Sequence, residues 1–198
     1  MNVRLLFKEN RSQACAVSTN GSDMHRLFVA IRPPESIRDQ LLDLMQGVPD
    51  LRWQSDDQLH LTLRFVGEVD RPVAEDLAAE LERIRFGEFS LSLHGVGRFD
   101  QRRGGALWAG VAPKDQLKAL SQKVERACQA AALPPERRAY HPHITLARWG
   151  RVVPDLEAFI HRHGSLKSEP WLVNRFKLYE SRLGRDGAHY EAVSEYRS

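Results

Sequence analysis

His60-Leu61-Thr62-Leu63 recurs in this 198-residue chain as His143-Ile144-Thr145-Leu146, 83 residues further on. The match runs outward, with Arg64-Phe65-Val66-Gly67-Glu68-Val69 against Ala147-Arg148-Trp149-Gly150-Arg151-Val152. Each copy reads as a β-strand, because Leu or Ile alternates with a polar residue over four positions. Successive side chains of a strand point to opposite faces, so each His shares a face with the Thr two residues later.

The repeat is larger than the motif. Leu27-Phe28-Val29-Ala30-Ile31-Arg32-Pro33 aligns with Leu107-Trp108-Ala109-Gly110-Val111-Ala112-Pro113. Each apolar run ends at Pro and leads into a helical pattern, as expected for Pro at a helix start. The first helix is predicted over residues 34–46, with Ile37, Leu41, Leu44 and Met45 on one face; its counterpart is predicted over 114–132, with Leu117, Leu120, Val124 and Cys128 inward. A further helix follows each His-Thr strand, over 71–84 and 154–162, and strands at 89–96 and 176–181 close the halves. The order β-α-β-α-β, twice, predicts an α+β fold of two pseudo-symmetric lobes, roughly 24–100 and 101–198, with strand exchange between them allowed. Mostly antiparallel sheets would face a central groove, with helices outside.

Residues 1–23 lack helical or strand periodicity and the long apolar stretch of a secretory signal, so they read as a disordered extension, and Met24 is an alternative start. Residues 24–198 read as one domain. Cys15 and Cys128 offer neither a metal-site spacing nor a disulfide framework, which suits a reducing cytoplasm. No run of 18 apolar residues is present, so no membrane partner is expected. The net charge is +3, and Arg64, Arg148 and Arg151 within or just after the motif strands, with Arg102–Arg103 and Arg137–Arg138 in loops, suggest an electropositive groove for a phosphate-bearing ligand.

An imidazole donates or accepts a proton near neutral pH, and two of them can act as base and acid. Threonine hydroxyls donate hydrogen bonds to anionic oxygens. His60, His143, Thr62 and Thr145 together fit metal-free attack on phosphorus, one His on each side of the reaction line, with a bell-shaped pH dependence near neutrality. A metal site at His141 and His143, or at His161 and His163, is the competing reading, weakened by the missing carboxylates. Ser-nucleophile elbows and Gly-rich phosphate loops are absent from the sequence. Phe65 and Arg148 lie five residues beyond each His. Strict alternation turns them away from the His face, so a bulge or strand end must intervene to bring them in. Phe65 is then either a base-stacking ring or core packing, and Arg148 either a phosphate ligand or half of a surface ion pair.

These motifs, with Arg26-Leu27-Phe28-Val29-Ala30-Ile31, Pro142, Arg148 and the closing Leu178-Tyr179-Glu180-Ser181-Arg182-Leu183 with Gly187 and Tyr190, resemble the 2H phosphoesterase superfamily. Within it the chain is most similar to the RNA 2′,3′-cyclic phosphodiesterases, also described as 2′-5′ RNA ligases. The resemblance implies hydrolysis of a 2′,3′-cyclic phosphate on RNA ends or small nucleotides to a 2′-phosphomonoester, with no cofactor or metal; a monomer is expected. It implies His60 as proton donor, His143 as proton acceptor, and Thr62 and Thr145 as phosphate ligands. Reversible 2′-5′ joining of RNA ends is implied for some members. A non-catalytic nucleotide- or RNA-binding module retaining the groove is the alternative.

Overall fold

The computed structural model describes residues 24–184 and 187–198. The expectation for residues 1–23 lies outside the described residues. In chain order the elements are β1 (Met24–Ile31), α1 (Glu35–Leu44), β2 (Arg52–Trp53), a 3-10 turn (Asp56–Gln58), β3 (Leu61–Asp70), α2 (Arg71–Glu82), β4 (Phe89–Gln101) and β5 (Gly104–Ala112). Then follow α3 (Asp115–Ala130), β6 (His143–Trp149), α4 (Glu157–His163), β7 (Trp171–Val173), β8 (Arg175–Gly184) and β9 (Gly187–Arg197).

The strands form one curled antiparallel sheet in the order β7-β4-β5-β6-β3-β1-β8-β9, with β2 added to β6. The two His-Thr strands meet at its centre through the single pair Leu61–Ile144. On either side the order repeats in mirror sense: β1 and β8 flank β3 as β5 and β4 flank β6. The closing strands are exchanged. β4, from the first half of the sequence, pairs with β5, while β8, from the second half, pairs with β1.

Helices cover the convex face. Ile37, Leu41 and Leu44 of α1 are buried, as are Leu117, Leu120, Val124 and Cys128 of α3, matching the predicted faces. Met45 is only half-buried, because α1 ends at Leu44 and Met45 is its C-cap. Asp70 caps α2 by accepting from the Val73 amide, and Pro72 sits in the first turn where no amide partner is needed. α4 begins at Glu157 rather than 154, with Asp155 accepting from the Glu157 amide.

Three strands carry no clear sequence signal. β2 and β7 have two and three residues, and β9 lies at the sheet edge, where Tyr196 is its one buried residue and alternation is weak. The opposite case is β1, whose Leu27, Val29 and Ile31 face the main core while Phe28 and Ala30 join Tyr179 in a second cluster on the concave face. Both of its faces are covered, so it reads as an unbroken apolar run.

Candidate active site

His60 immediately precedes β3 and His143 opens β6. Extending the Leu61–Ile144 register one residue each way sets His60 across from Thr145 and Thr62 across from His143. Directly opposed side chains of an antiparallel pair have β-carbons about 5 Å apart. The pattern is half-buried His and Thr against buried Leu61, Leu63, Ile144 and Leu146, so the four polar side chains share the concave face.

The two imidazoles are held alike. His60 Nδ1 lies 2.7 Å from the carbonyl oxygen of Gln58, and His143 Nδ1 lies 2.7 Å from that of His141. A carbonyl only accepts, so in each ring Nδ1–H donates and the neutral tautomer carries its lone pair on Nε2. Gln58 is itself fixed: its side chain accepts from the Ser55 amide and donates to the Ala188 carbonyl. Arg32, just after β1, and Arg38 of α1 both reach Asp56 at 2.6 Å, tying the β1–α1 connection and α1 to the same 3-10 turn. The Arg38 hydrogen bond to Asp56 helps hold that carboxyl below the usual range.

A bulge follows each motif at the same repeat position. On β3 the register against β1 steps between Ala30–Thr62 and Val29–Arg64, leaving Leu63 as the extra residue. On β6 the register against β5 steps between Trp108–Thr145 and Leu107–Ala147, leaving Leu146 extra. The partners decide which way the next side chains turn. Phe65 pairs with Phe28, on the same face of β1 as Ala30, which pairs with Thr62. Arg148 pairs with Ala106, on the same face of β5 as Trp108, which pairs with Thr145. Phe65 and Arg148 therefore stand on the His-Thr face, as the bulge condition required. Phe65 is 48% exposed, with the Arg26 guanidinium 5.4 Å from its ring centroid. Arg148 is exposed and, among the described residues, has no ion-pair partner. Phe65 is thus no core residue, and among the described residues Arg148 is not half of an ion pair.

Residues 30–185 match the 2′-5′ RNA ligase superfamily. The chain belongs to that superfamily. It is 34% identical over 156 residues to an RNA 2′,3′-cyclic phosphodiesterase of Aeropyrum pernix, covering 77% of this chain and 88% of that one. It is 29% identical over 179 residues to the Escherichia coli protein of the same name, covering 88% and 97%. Among solved structures it is similar to Escherichia coli LigT complexed with 3′-AMP, with a TM-score of 0.74 at 27% identity over 88% and 98% of the two chains. TT0787 of Thermus thermophilus aligns with a TM-score of 0.73 at 25% identity, covering 87% and 97%.

In this member of the superfamily both imidazoles are poorer bases than free histidine. Burial pushes His60 from 6.5 down to about 4, the Gln58 carbonyl opposes the shift, and the charges of Arg148, His143 and Arg32 add to it. Burial also lowers His143, against its bond to the His141 carbonyl, with His141 and Arg148 adding to the fall. The neutral-range titration of an ordinary pair is therefore displaced toward acid.

Arg64 differs from the sequence expectation. The bulge at Leu63 turns it to the helix face, where its Nε lies 2.7 Å from Glu125 and its Nη2 donates to the Pro134 carbonyl. It contributes no cation to the groove. Aromatic walls stand behind each imidazole: Phe28 and Tyr190 at 4.8 and 5.3 Å from His60, and Phe99 at 5.0 Å from His143. Neither these rings nor the two carbonyls are marked by the repeat, although Phe28 and Trp108 occupy aligned positions in it. His141 serves the site through its backbone and packs against Trp108 at 5.1 Å. No three His, Cys, Asp or Glu side chains converge as a metal site among the described residues. No helix among them is long and apolar enough to cross a membrane.

Proposed function

We propose that this protein hydrolyses the 2′,3′-cyclic phosphate of RNA ends or small nucleotides to a 2′-phosphomonoester by general acid-base catalysis. The observation that carries this reading is the matched pinning of two Nδ1 atoms, which leaves two Nε2 atoms to act on one groove beside two Thr hydroxyls and Arg148. His143 accepts the proton of the attacking water. The new P–O bond forms as the P–O3′ bond breaks, and His60 donates its Nε2 proton to the departing 3′-oxygen. Thr62 and Thr145 donate hydrogen bonds to the non-bridging oxygens, Arg148 supplies positive charge, and the exposed face of Phe65 stacks on the base. The reaction needs no metal or organic cofactor. With a 5′-hydroxyl in place of water as the nucleophile, the same displacement breaks P–O3′ and leaves a 2′-5′ linkage.

Residues 24–198 act as a unit, since the exchanged strands β4 and β8 tie both halves into one sheet, and we propose that this unit is a monomer. The buried free thiol of Cys128 fits a reducing cytoplasm. A non-catalytic nucleotide-binding module is the second reading; binding alone gives no reason to orient both imidazoles identically. Incubation with a 2′,3′-cyclic mononucleotide in the presence of chelator should give the 2′-phosphate. His60→Ala and His143→Ala should each lose several orders of magnitude while binding is retained. Full turnover by His143→Ala would rule the mechanism out.

A further inference from the structure

Beyond Arg148 the edge of the groove carries charge that the chemistry between His60 and His143 does not use. The direct cross-strand partner of Arg148 is Arg52 of β2. Opposed residues of an antiparallel pair share a face, and like charges placed there repel. On the other side of β6 lies β5, joined to β4 by the turn Arg102–Arg103. This hairpin tip sits directly on the end of β6. A β-carbon at Gly104, where φ is +147°, would fall 2.4 Å from the Trp149 carbonyl oxygen and 3.2 Å from that of Gly150. Only glycine allows that approach, and it sets Arg103 and Arg151 on either side of one contact. Arg52, Arg102, Arg103, Arg148 and Arg151 are all exposed, and none has an ion-pair partner among the described residues. Arg85, Arg126, Arg137, Arg138 and Arg162 are likewise exposed without an ion-pair partner among the described residues, so what singles out this corner is the Arg52–Arg148 register and the hairpin contact on the end of β6.

We propose that this corner of the sheet is a track for the sugar–phosphate backbone of single-stranded RNA, on the 5′ side of the nucleotide held between the imidazoles. The proposal rests on the reading above and adds the substrate's length and direction. A 2′,3′-cyclic phosphate closes the 3′ end of a strand, so every other phosphate lies to one side of it. A one-sided track is then what the substrate needs, and the repeat is one-sided at this point: Phe65 stands where its partner copy has Arg148. Phosphates lying over Arg52 and Arg148 relieve the repulsion between them. Arg151 lies three residues beyond Arg148, a reach of at most roughly 10 Å, which takes the track past the terminal nucleotide.

The test compares a 2′,3′-cyclic mononucleotide with a cyclic-phosphate-ended oligoribonucleotide of about six nucleotides. Both are assayed across a salt series with the unaltered protein and with the triple variant R102A/R103A/R151A. For the oligonucleotide the variant should lose about tenfold or more in kcat/KM at low salt, through KM, and its log–log salt dependence should be shallower by about 2, at about 0.7 per phosphate contact on a single strand. Turnover of the mononucleotide should be unchanged, and R102K/R103K/R151K should restore most of the loss. Equal losses on both substrates, or an unaltered salt slope, overturn the track. Fluorescence anisotropy with a 3′-phosphorylated oligonucleotide decides it without turnover. Failure of the unaltered protein to cleave either substrate sinks the hydrolase reading alone.

Discussion

The pH dependence of turnover follows from the burial of the two imidazoles. Burial holds His60 at about 4 in the free protein instead of 6.5, a difference worth about 3 kcal/mol. Near neutral pH its ring is then protonated about once in a thousand molecules rather than about once in four. A general acid in that state needs its proton to arrive with the substrate. A phosphate anion about 4 Å from Nε2, at an effective dielectric constant near 20, contributes about 4 kcal/mol, enough to raise the ring by about three pH units. The free protein and the complex should therefore titrate differently. For kcat/KM, which reports the free enzyme, both limbs lie below the ordinary imidazole value, so the maximum falls on the acid side of 6.5 and activity declines about tenfold per pH unit above it. For kcat, which reports the complex, the profile should move toward neutrality. Arg148→Gln removes a charge that lowers both rings, so both limbs of kcat/KM should shift upward. The assay is initial rates on a 2′,3′-cyclic mononucleotide from about pH 4 to 9, with NMR titration of labelled histidine, with and without inorganic phosphate, as a direct readout. The same shift bears on folding. The unfolded chain binds the His60 proton more tightly than the folded one, so stability is full above the unfolded value and declines as pH falls from 6.5 toward about 4. Coincident kcat and kcat/KM profiles centred near pH 8 would refute the argument.

The bulge on β3 is held from the helix side, where Ser121 Oγ donates to the Leu63 carbonyl at 3.1 Å. Ser121→Ala should cost about 1 kcal/mol in urea unfolding, because it strands a buried carbonyl, and should raise KM by loosening Phe65; an unchanged midpoint would show the bulge to be set by β1 alone. At Gly97 a β-carbon would lie 2.4 Å from Trp108 Cζ2. Gly97→Ala should displace that ring from the wall beside His143, shift tryptophan emission and cost about 1–3 kcal/mol in thermal unfolding. Unaltered emission and stability would mean that the ring is free to move.

The two His-Thr strands and the helical faces were legible in the sequence because each is local. Period-2 and period-3.6 patterns record which face is buried, and duplication wrote both patterns twice. The condition on Phe65 and Arg148 was legible too, since alternation alone shows that they need a bulge. Whether the bulge exists was decided by pairing, with β1 on one side and β5 on the other fixing which residue is extra. Arg64 shows the limit: in the sequence it is a cation beside a catalytic motif, yet the same bulge sends it to Glu125. The exchange of β4 and β8 was likewise undetermined, because a strand's own pattern does not name its neighbour.

Residue order by itself thus determined the duplicated element order and that each His shares a face with its own Thr, since side-chain periodicity is a property of the backbone. Tertiary structure alone decided that the four polar side chains meet, which nitrogen each imidazole presents, how far burial weakens it, and that Arg52 stands opposite Arg148. Those depend on carbonyls, neighbouring rings and charges brought close from distant parts of the chain.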